Sequence, residues 1–145
     1  MADDEILGPI DYLAVDFPGG RVTGEGFGLL LDLVERGIIR VLDLQFVAKS
    51  ADGTVRRVPL GEVEHGGDID ITMWRTAYSG LLDQSDLDEV ASVAEPDSLA
   101  GILVYENTWA VPLMSALDRS EAHLLGSGRI GGEDLLQALD ETEPT

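Results

Sequence analysis

The sequence contains no cysteine, and this absence removes several kinds of chemistry. Without thiols the chain can form no disulfide, no thiolate nucleophile, no iron–sulfur cluster and no cysteine-ligated zinc site. Histidine is nearly as scarce, because His65 and His123 are the only two. An acid–base mechanism built on imidazole therefore has few candidates. The absence of cysteine, in turn, excludes much redox chemistry.

Positive charge is also scarce. Nine lysines and arginines face 28 aspartates and glutamates, and Lys49 is the only lysine, so the formal net charge is −19. Such a chain repels phosphate backbones and anionic lipid surfaces, which argues against nucleic acid and membrane as partners. Solubility accounts for the acidity; the alternative is an acidic docking face for a basic protein partner.

Long hydrophobic runs are missing as well. No apolar run approaches the roughly 20 residues that are needed to span a bilayer. The N-terminal sequence MADDEILG is acidic where a secretory signal carries positive charge, and no apolar signal core follows it. We therefore expect the protein in the cytoplasm.

What the sequence does contain fits one globular domain. The chain has 145 residues, of which 44% are hydrophobic, and its mean hydropathy is close to zero. It is long enough to bury a core and lacks the composition of a disordered protein. We predict a flexible N-terminus over residues 1–8, a single domain over 9–140 and a flexible tail over 141–145.

Hydrophobic periodicity divides the domain into strands and helices. Apolar runs with period-two alternation predict strands over residues 10–17, 39–48, 55–60, 98–106 and 121–128. Apolar residues at helical spacing predict helices over residues 27–34, 71–82, 85–94, 109–119 and 133–141. Gly37 is expected to end the first helix and Ser85 to cap the third. The Asp-Gly pair at 52–53 predicts a hairpin turn.

The order of these elements predicts an α+β fold. Residues 10–48 and 99–127 are both strand–helix–strand units, and two such units can interleave as a ferredoxin-like antiparallel sheet with helices on one face. The strand at 10–17 is then central and antiparallel to the strand at 98–106. The strand at 55–60 adds an edge, and a helical insertion covers about 61–95. The alternative, with 55–60 as a central strand, conflicts with its two arginines and Pro59.

The corner VYENTWAVP links the strand at 98–106 to the next helix and uses one of the two tryptophans. Each side chain has a structural use there. Asn107 or Thr108 can cap the helix, Glu106 can pair with Arg40 or Arg129, and the Trp109 ring can pack under the sheet. Pro112 is tolerable only within the first helical turn.

The same corner is a candidate ligand or partner site. A charged, an amide and an aromatic side chain meet there in Glu106, Asn107 and Trp109, and Arg40 enters the neighbouring strand at the same end. These four residues are the predicted binding residues, and no catalytic residue is predicted. Because the two strands are antiparallel, this corner lies at the opposite end from the glycine-rich turn after residue 17.

That turn is a second candidate. Gly24 and Gly26 begin a helix whose free amides, together with Arg21, can hold an anion. The spacing matches neither a dinucleotide-binding loop nor a P-loop, which favours the alternative of a simple turn with Thr23 as the helix cap. The acidic loop around His65 does not have EF-hand spacing, so we predict no metal site.

Four blocks together resemble a known family. The segments GPIDYLAVDFPG, GIIRVLDLQFVAKSADGTV, LVYENTWA and SGRI occur in this order between residues 8 and 139. They are similar to a family of small bacterial proteins without an assigned activity. The resemblance implies a cytoplasmic, ferredoxin-like α+β domain and carries over no cofactor and no catalytic residue.

Two functions from different classes are open. The first is a non-enzymatic domain that acts through a homodimer or a protein partner, because one face of a ferredoxin-like sheet stays uncovered and here carries apolar residues. The second is a small-molecule sensor or cofactor-independent enzyme of the dimeric α+β barrel kind. The second requires a pocket of a few hundred Å³, with Glu106, Asn107 or His123 pointing into it.

Overall fold

The structure is a computed structural model that describes residues 7–22, 24–63, 70–75, 77, 80–122, 125 and 132–142. Its strands are β1 (Ile10–Pro18), β2 (Arg40–Lys49), β3 (Val55–Val58) and β4 (Ser98–Glu106). Its α-helices are α1 (Gly24–Glu35), α2 (Gln84–Val93), α3 (Val111–Arg119) and α4 (Gly132–Thr142). The predicted α+β class is thereby confirmed.

The four strands form one open antiparallel sheet in the order β1-β4-β2-β3. Ile10 of β1 lies opposite Glu106 and Pro18 opposite Ser98, while Arg40 of β2 flanks Glu106 on its other side. The predicted hairpin and the edge position of its returning strand are confirmed, with Gly53 at a φ of +92° in the turn. The alternative with a central β3 is therefore wrong.

The first strand, predicted to be central, lies at an edge of the sheet in the described part of the chain. It pairs with β4 alone, and most of its side chains are exposed. A central position needs a second neighbour for β1, and in a ferredoxin-like order this would be the predicted strand at 121–128, most of which lies outside the described residues. Of its described members, Glu121 and Ala122 belong to the turn that ends α3.

Helix positions are largely confirmed. Gly37 follows α1 at a φ of +73°, as a C-terminal glycine cap requires. The predicted helix at 71–82 is wrong: among the described residues of this segment, a 3-10 turn at Ile71–Trp74 is the helical part, and Gly80 has a φ of +76°, outside the right-handed helical region. Asp83 rather than Ser85 caps α2, because its carboxylate and that of Asp86 form a reciprocal capping box.

Successive side chains of a strand point to opposite faces, and both faces carry a core. On one face, Phe27 of α1 and the turn residue Trp74 join a cluster with Leu44 and Phe46. On the other face, α2 covers a smaller cluster that includes Val47, Ala100 and Ile102. The sheet face without α1 was expected to be uncovered. Helix α2, which belongs to the predicted insertion at about 61–95, covers β2 and β4 on that face but leaves β1 exposed.

The single lysine fixes α2 to the sheet. The Nζ of Lys49 donates hydrogen bonds to the carbonyl oxygens of Ala91 and Ala94, at 3.0 and 3.1 Å. A cation at the C-terminal end of a helix also interacts favourably with the helix dipole.

In contrast, no side chain of α3 is buried, so this helix contributes nothing to the core of the described structure.

No helix in the described ranges is both long enough and apolar enough to cross a bilayer.

Candidate functional site

Glu106 is the centre of the corner formed by residues 106–109, which we call the ENTW corner. Its side chain is almost fully buried, with 3% of the residue exposed. One carboxylate oxygen, Oε2, accepts a hydrogen bond from the backbone N–H of Gly8 at 2.8 Å. The other, Oε1, accepts one from Nε of Arg40 at 2.8 Å and lies 2.7 Å from Nη2 of the same guanidinium. The predicted contact of Glu106 is therefore with Arg40, and the carboxylate joins three segments of the chain.

Asn107 binds the first strand with its amide group. Its Nδ2 donates to the carbonyl of Pro9 at 2.9 Å and to Oδ2 of Asp11 at 3.0 Å, and its backbone N–H donates to Pro9 as well. Gly8 approaches so closely that a Cβ atom there would lie 2.1 Å from the carbonyl oxygen of Asn107. The predicted helix cap by Asn107 is wrong, because the side chain holds the N-terminal segment instead.

Trp109 differs most from its prediction, since 58% of the residue is exposed and the ring does not pack under the sheet. Its indole Nε1 donates to Oδ1 of Asn107 at 3.1 Å, and its backbone N–H donates to Ile38. Thr108, the other predicted cap, donates its hydroxyl to the carbonyl of Gly37. Pro112 lies in the first turn of α3, as predicted. The corner thus fastens the loop after α1 as well as the N-terminal segment.

An apolar cavity of about 580 Å³ lies between α1 and the strands β1, β4 and β2, and we call it the α1 trough. Its walls include Leu13, Val15, Leu29, Leu33 and Leu103. Among the described lining residues only Tyr105 and Asn107 carry polar side chains. Because Tyr105 and Asn107 follow Leu103 at the C-terminal end of β4, one end of the trough is polar and the remainder is hydrocarbon.

Two glycines shape the trough. A Cβ on Gly101 would lie 2.8 Å from Cε1 of Phe46 and 3.4 Å from Cε2 of Phe17, so the missing side chain gives both rings their place on the floor. Gly26 lies in the wall formed by α1, and a Cβ there would meet no atom within 4 Å. Glycine is a poor helix residue, and a side chain at Gly26, in the first turn of α1, would have open space around it beside the trough.

The structure places the anion candidates apart from the ENTW corner, at the other end of β1, as the antiparallel order predicts. Arg21 is exposed, with its guanidinium over Gly19, and Gly24 and Gly26 lie in the first turn of α1. Whether these three residues bind an anion stays a prediction. His65 and its acidic loop, and also His123, lie outside the described residues. The described part of the chain contains no cluster of three potential metal-ligating side chains.

Asp43 is a buried carboxylate that the sequence did not single out. It follows an irregularity in the pairing of β2 with β4, is 0% exposed, and accepts a hydrogen bond from Nε2 of Gln45 at 2.9 Å. Its Oδ2 has no hydrogen-bond partner in the described structure. Desolvation raises the pKa of Asp43, and the bond from Gln45 and the charge of Arg57 offset only part of that effect.

Sequence reasoning brought Arg40, Glu106, Asn107 and Trp109 together correctly in space. It named a pocket of a few hundred Å³ only as a requirement of its second hypothesis, and of the residues expected there Asn107 lines the trough whereas Glu106 does not. The glycines of α1 were the available signal, because Gly26 is a poor helix residue and has no positive φ to explain it. Asp43 had a weaker signal, a single acid within the apolar run VLDLQF.

Comparisons with known proteins identify a family and add no activity. No curated protein and no solved structure matches the chain. The model of one family, described as a family of unknown function (DUF6325), matches residues 6–142. This match covers nearly the whole sequence, including both the ENTW corner and the walls of the α1 trough. The chain therefore belongs to the DUF6325 family.

Proposed function

We propose that this chain is a non-enzymatic bacterial domain of the cytoplasm that binds an apolar small molecule in the α1 trough. The observation that carries the proposal is the trough itself, a cavity of about 580 Å³ whose lining is hydrocarbon except at one end. Ligand-binding cavities commonly measure about 300–1,000 Å³ and are lined by apolar side chains with a few polar groups.

The lining favours binding over catalysis. General acid–base or nucleophilic chemistry needs a titratable or nucleophilic side chain within hydrogen-bond reach of the substrate. The described lining contains no carboxylate and no imidazole, and the buried carboxylate of Glu106 is already held by Arg40 and Gly8. An apolar molecule in the trough would pack against these hydrocarbon walls, and the described lining offers only the hydroxyl of Tyr105 as a group that could react with it.

Replacing Gly26 by leucine tests the trough directly. The new side chain enters open space in the wall, so we expect it to fill the trough and abolish binding of the uncharged dye Nile red. The same change removes a helical glycine, so the free energy of unfolding should rise by up to about 1 kcal/mol. Dye fluorescence and urea denaturation measure the two effects separately.

The matched control is Gly26→Ala, which gains nearly the same helix propensity and adds one carbon atom. It should retain dye binding. If Gly26→Leu binds Nile red as tightly as the unmodified protein does, the trough is not the binding site.

A second candidate function, association into a homodimer, is favoured by the exposure of β1. Ile10 and Tyr12 are exposed on one face of this strand and Leu13 and Val15 on the other, with Tyr12 at 65%. In the described structure only β4 pairs with β1, and a long apolar edge strand is a template for pairing with another chain. Two copies of β1 can pair antiparallel about a two-fold axis at Ala14, the middle residue of the strand.

The dimer has its own test in Ala14→Glu. Ala14 is exposed, so the substitution should leave the fold intact. In the symmetric pair the two new carboxylates would face each other directly, which is destabilising in antiparallel strands. We expect sedimentation equilibrium to show a dimer for the unmodified protein and for Ala51→Glu, an equal charge change in the β2–β3 turn, and a monomer for Ala14→Glu. A monomeric unmodified protein, or an unchanged Ala14→Glu dimer, would rule out this candidate.

A further inference from the structure

We infer that the ligand of the α1 trough is an apolar molecule whose polar end donates hydrogen bonds and carries no negative charge, an aliphatic amine being the class that fits best. The inference rests on the proposed function, because it concerns the same cavity. Three observations support it: the hydrogen bonds that Asn107 already makes, the position of Asp11 beside it, and the net negative charge of the whole chain.

Asn107 can offer the ligand only an acceptor. A primary amide has two N–H donors, and both are used, one by the carbonyl of Pro9 and one by the carboxylate of Asp11. Its Oδ1 accepts from the indole of Trp109 and keeps a second lone pair. A ligand group that meets this side chain must therefore donate, as an ammonium or a hydroxyl group does and a carboxylate does not.

Asp11 adds a negative charge at the same end. It lies on the same face of β1 as Leu13 and Val15, which line the trough, and directly opposite Tyr105 in the register of β1 with β4. Its Oδ2 is 3.0 Å from the Asn107 amide nitrogen. Asp11 does not itself line the trough, but a head group that donates to Asn107 would lie near this carboxylate, so a cationic head group is attracted and an anionic one is repelled.

The net charge of the whole chain also favours a cationic head group. With a net charge of −19, the chain as a whole attracts cations and repels anions. An apolar chain ending in a carboxylate or phosphate fits the hydrocarbon walls but neither the acceptor at the polar end nor the surrounding field. The walls therefore select for an apolar body, and the polar end selects the head group.

Three probes of equal chain length separate these contributions: decylamine, decan-1-ol and decanoic acid. At pH 7 the first is protonated, the second neutral and the third ionised. Each is titrated against the protein loaded with Nile red in low salt, and displacement of the dye is measured. We expect decylamine to displace the dye at concentrations about tenfold below those required for decanoic acid, with decanol between them.

Two substitutions separate local from overall charge. Asp11→Asn keeps an acceptor for the Asn107 amide and removes the charge at the polar end, so it should weaken decylamine several-fold and leave decanol unchanged. Asp52→Asn makes the same change of net charge in the β2–β3 turn, at the other end of the sheet, and should leave the preference for decylamine nearly intact.

The outcomes are distinguishable. Decanoic acid displacing the dye as well as decanol does, or decylamine still binding to Gly26→Leu, would overturn the inference, because the head-group preference would be absent or would belong to the outer surface. If none of the three probes displaces the dye and Gly26→Leu leaves dye binding unchanged, the proposed function itself fails. Decylamine preferred, and lost in Gly26→Leu, supports both.

Discussion

Replacing Arg40 by methionine is expected to lower the free energy of unfolding by about 3 kcal/mol, because it leaves a buried carboxylate without its counter-charge. Glu106 is almost completely enclosed, and after the substitution only the Gly8 N–H of its observed partners would remain. Methionine retains much of the arginine's aliphatic length, so the loss reports on charge rather than on packing. The guanidinium is partly exposed, which places the estimate at the lower end for a broken buried ion pair. Urea denaturation measures the change.

Arg36→Met is the matched control. Arg36 pairs with Asp32 one helical turn away, at 3.2 Å, but both side chains are more than half exposed. Exposed pairs of this kind contribute about 0.3–0.5 kcal/mol, so the control should be nearly neutral.

The double variant Arg40→Met/Glu106→Gln tests the assignment of the loss to an uncompensated charge. Glutamine can still accept from Gly8 and has no charge to neutralise. The double variant should therefore be more stable than the sum of the two single changes predicts. Strict additivity of the two losses would show that the pair is not coupled.

Asp43→Asn is expected to stabilise the protein by about 1 kcal/mol at neutral pH, because the amide removes a buried charge, although its NH2 group takes the position of the unpartnered Oδ2. The carboxylate is fully enclosed and one of its oxygens has no partner in the described structure, whereas an amide keeps the bond with Gln45 and removes the charge. Glu89→Gln, an exposed position on α2, changes the net charge equally and should alter stability by less than about 0.5 kcal/mol.

The gain should depend on pH in a defined direction. Burial raises the pKa of Asp43 in the folded state, so folding favours the protonated carboxyl. The contribution of the protonated Asp43 carboxyl to stability is therefore fully present below the unfolded-state pKa, near 4, and is lost as pH rises through the folded-state value. The difference between Asp43→Asn and the unmodified protein should vanish at about pH 4 and grow towards neutrality. A difference that does not change with pH would contradict this explanation.

The strands were predictable because the chemistry of each is local. The apolar run at 98–106, the Asp-Gly turn and the arginines of β3 each indicate a structure without reference to the rest of the chain. The meeting of Arg40 with Glu106 followed from antiparallel order alone, because both lie at the same end of neighbouring strands.

The trough and the state of Asp43 were not predictable, since each depends on segments that are distant in sequence. The alternation in β2 puts Asp43 and Gln45 on the same face as Val47, but it does not show that the insertion sends α2 across that face. For Trp109 the sequence did suggest an environment, and the suggestion was wrong. Its size and its place beside a strand favour burial, yet the bonds of Asn107 and Thr108 direct the corner so that the ring faces outward.

The bond from Gly8 to Glu106 also bears on how the chain folds during synthesis. Its two residues are 98 positions apart, and β1 has no partner in the described structure other than β4, which ends at Glu106. At ribosomal rates of 5–20 residues per second, the first strand would emerge roughly 5–20 s before the segment that pairs with it. During that interval the apolar side chains of β1 would be accessible to chaperones or to other nascent chains. Binding of the N-terminal segment is thus a late event, reached only after nearly three quarters of the chain has been made.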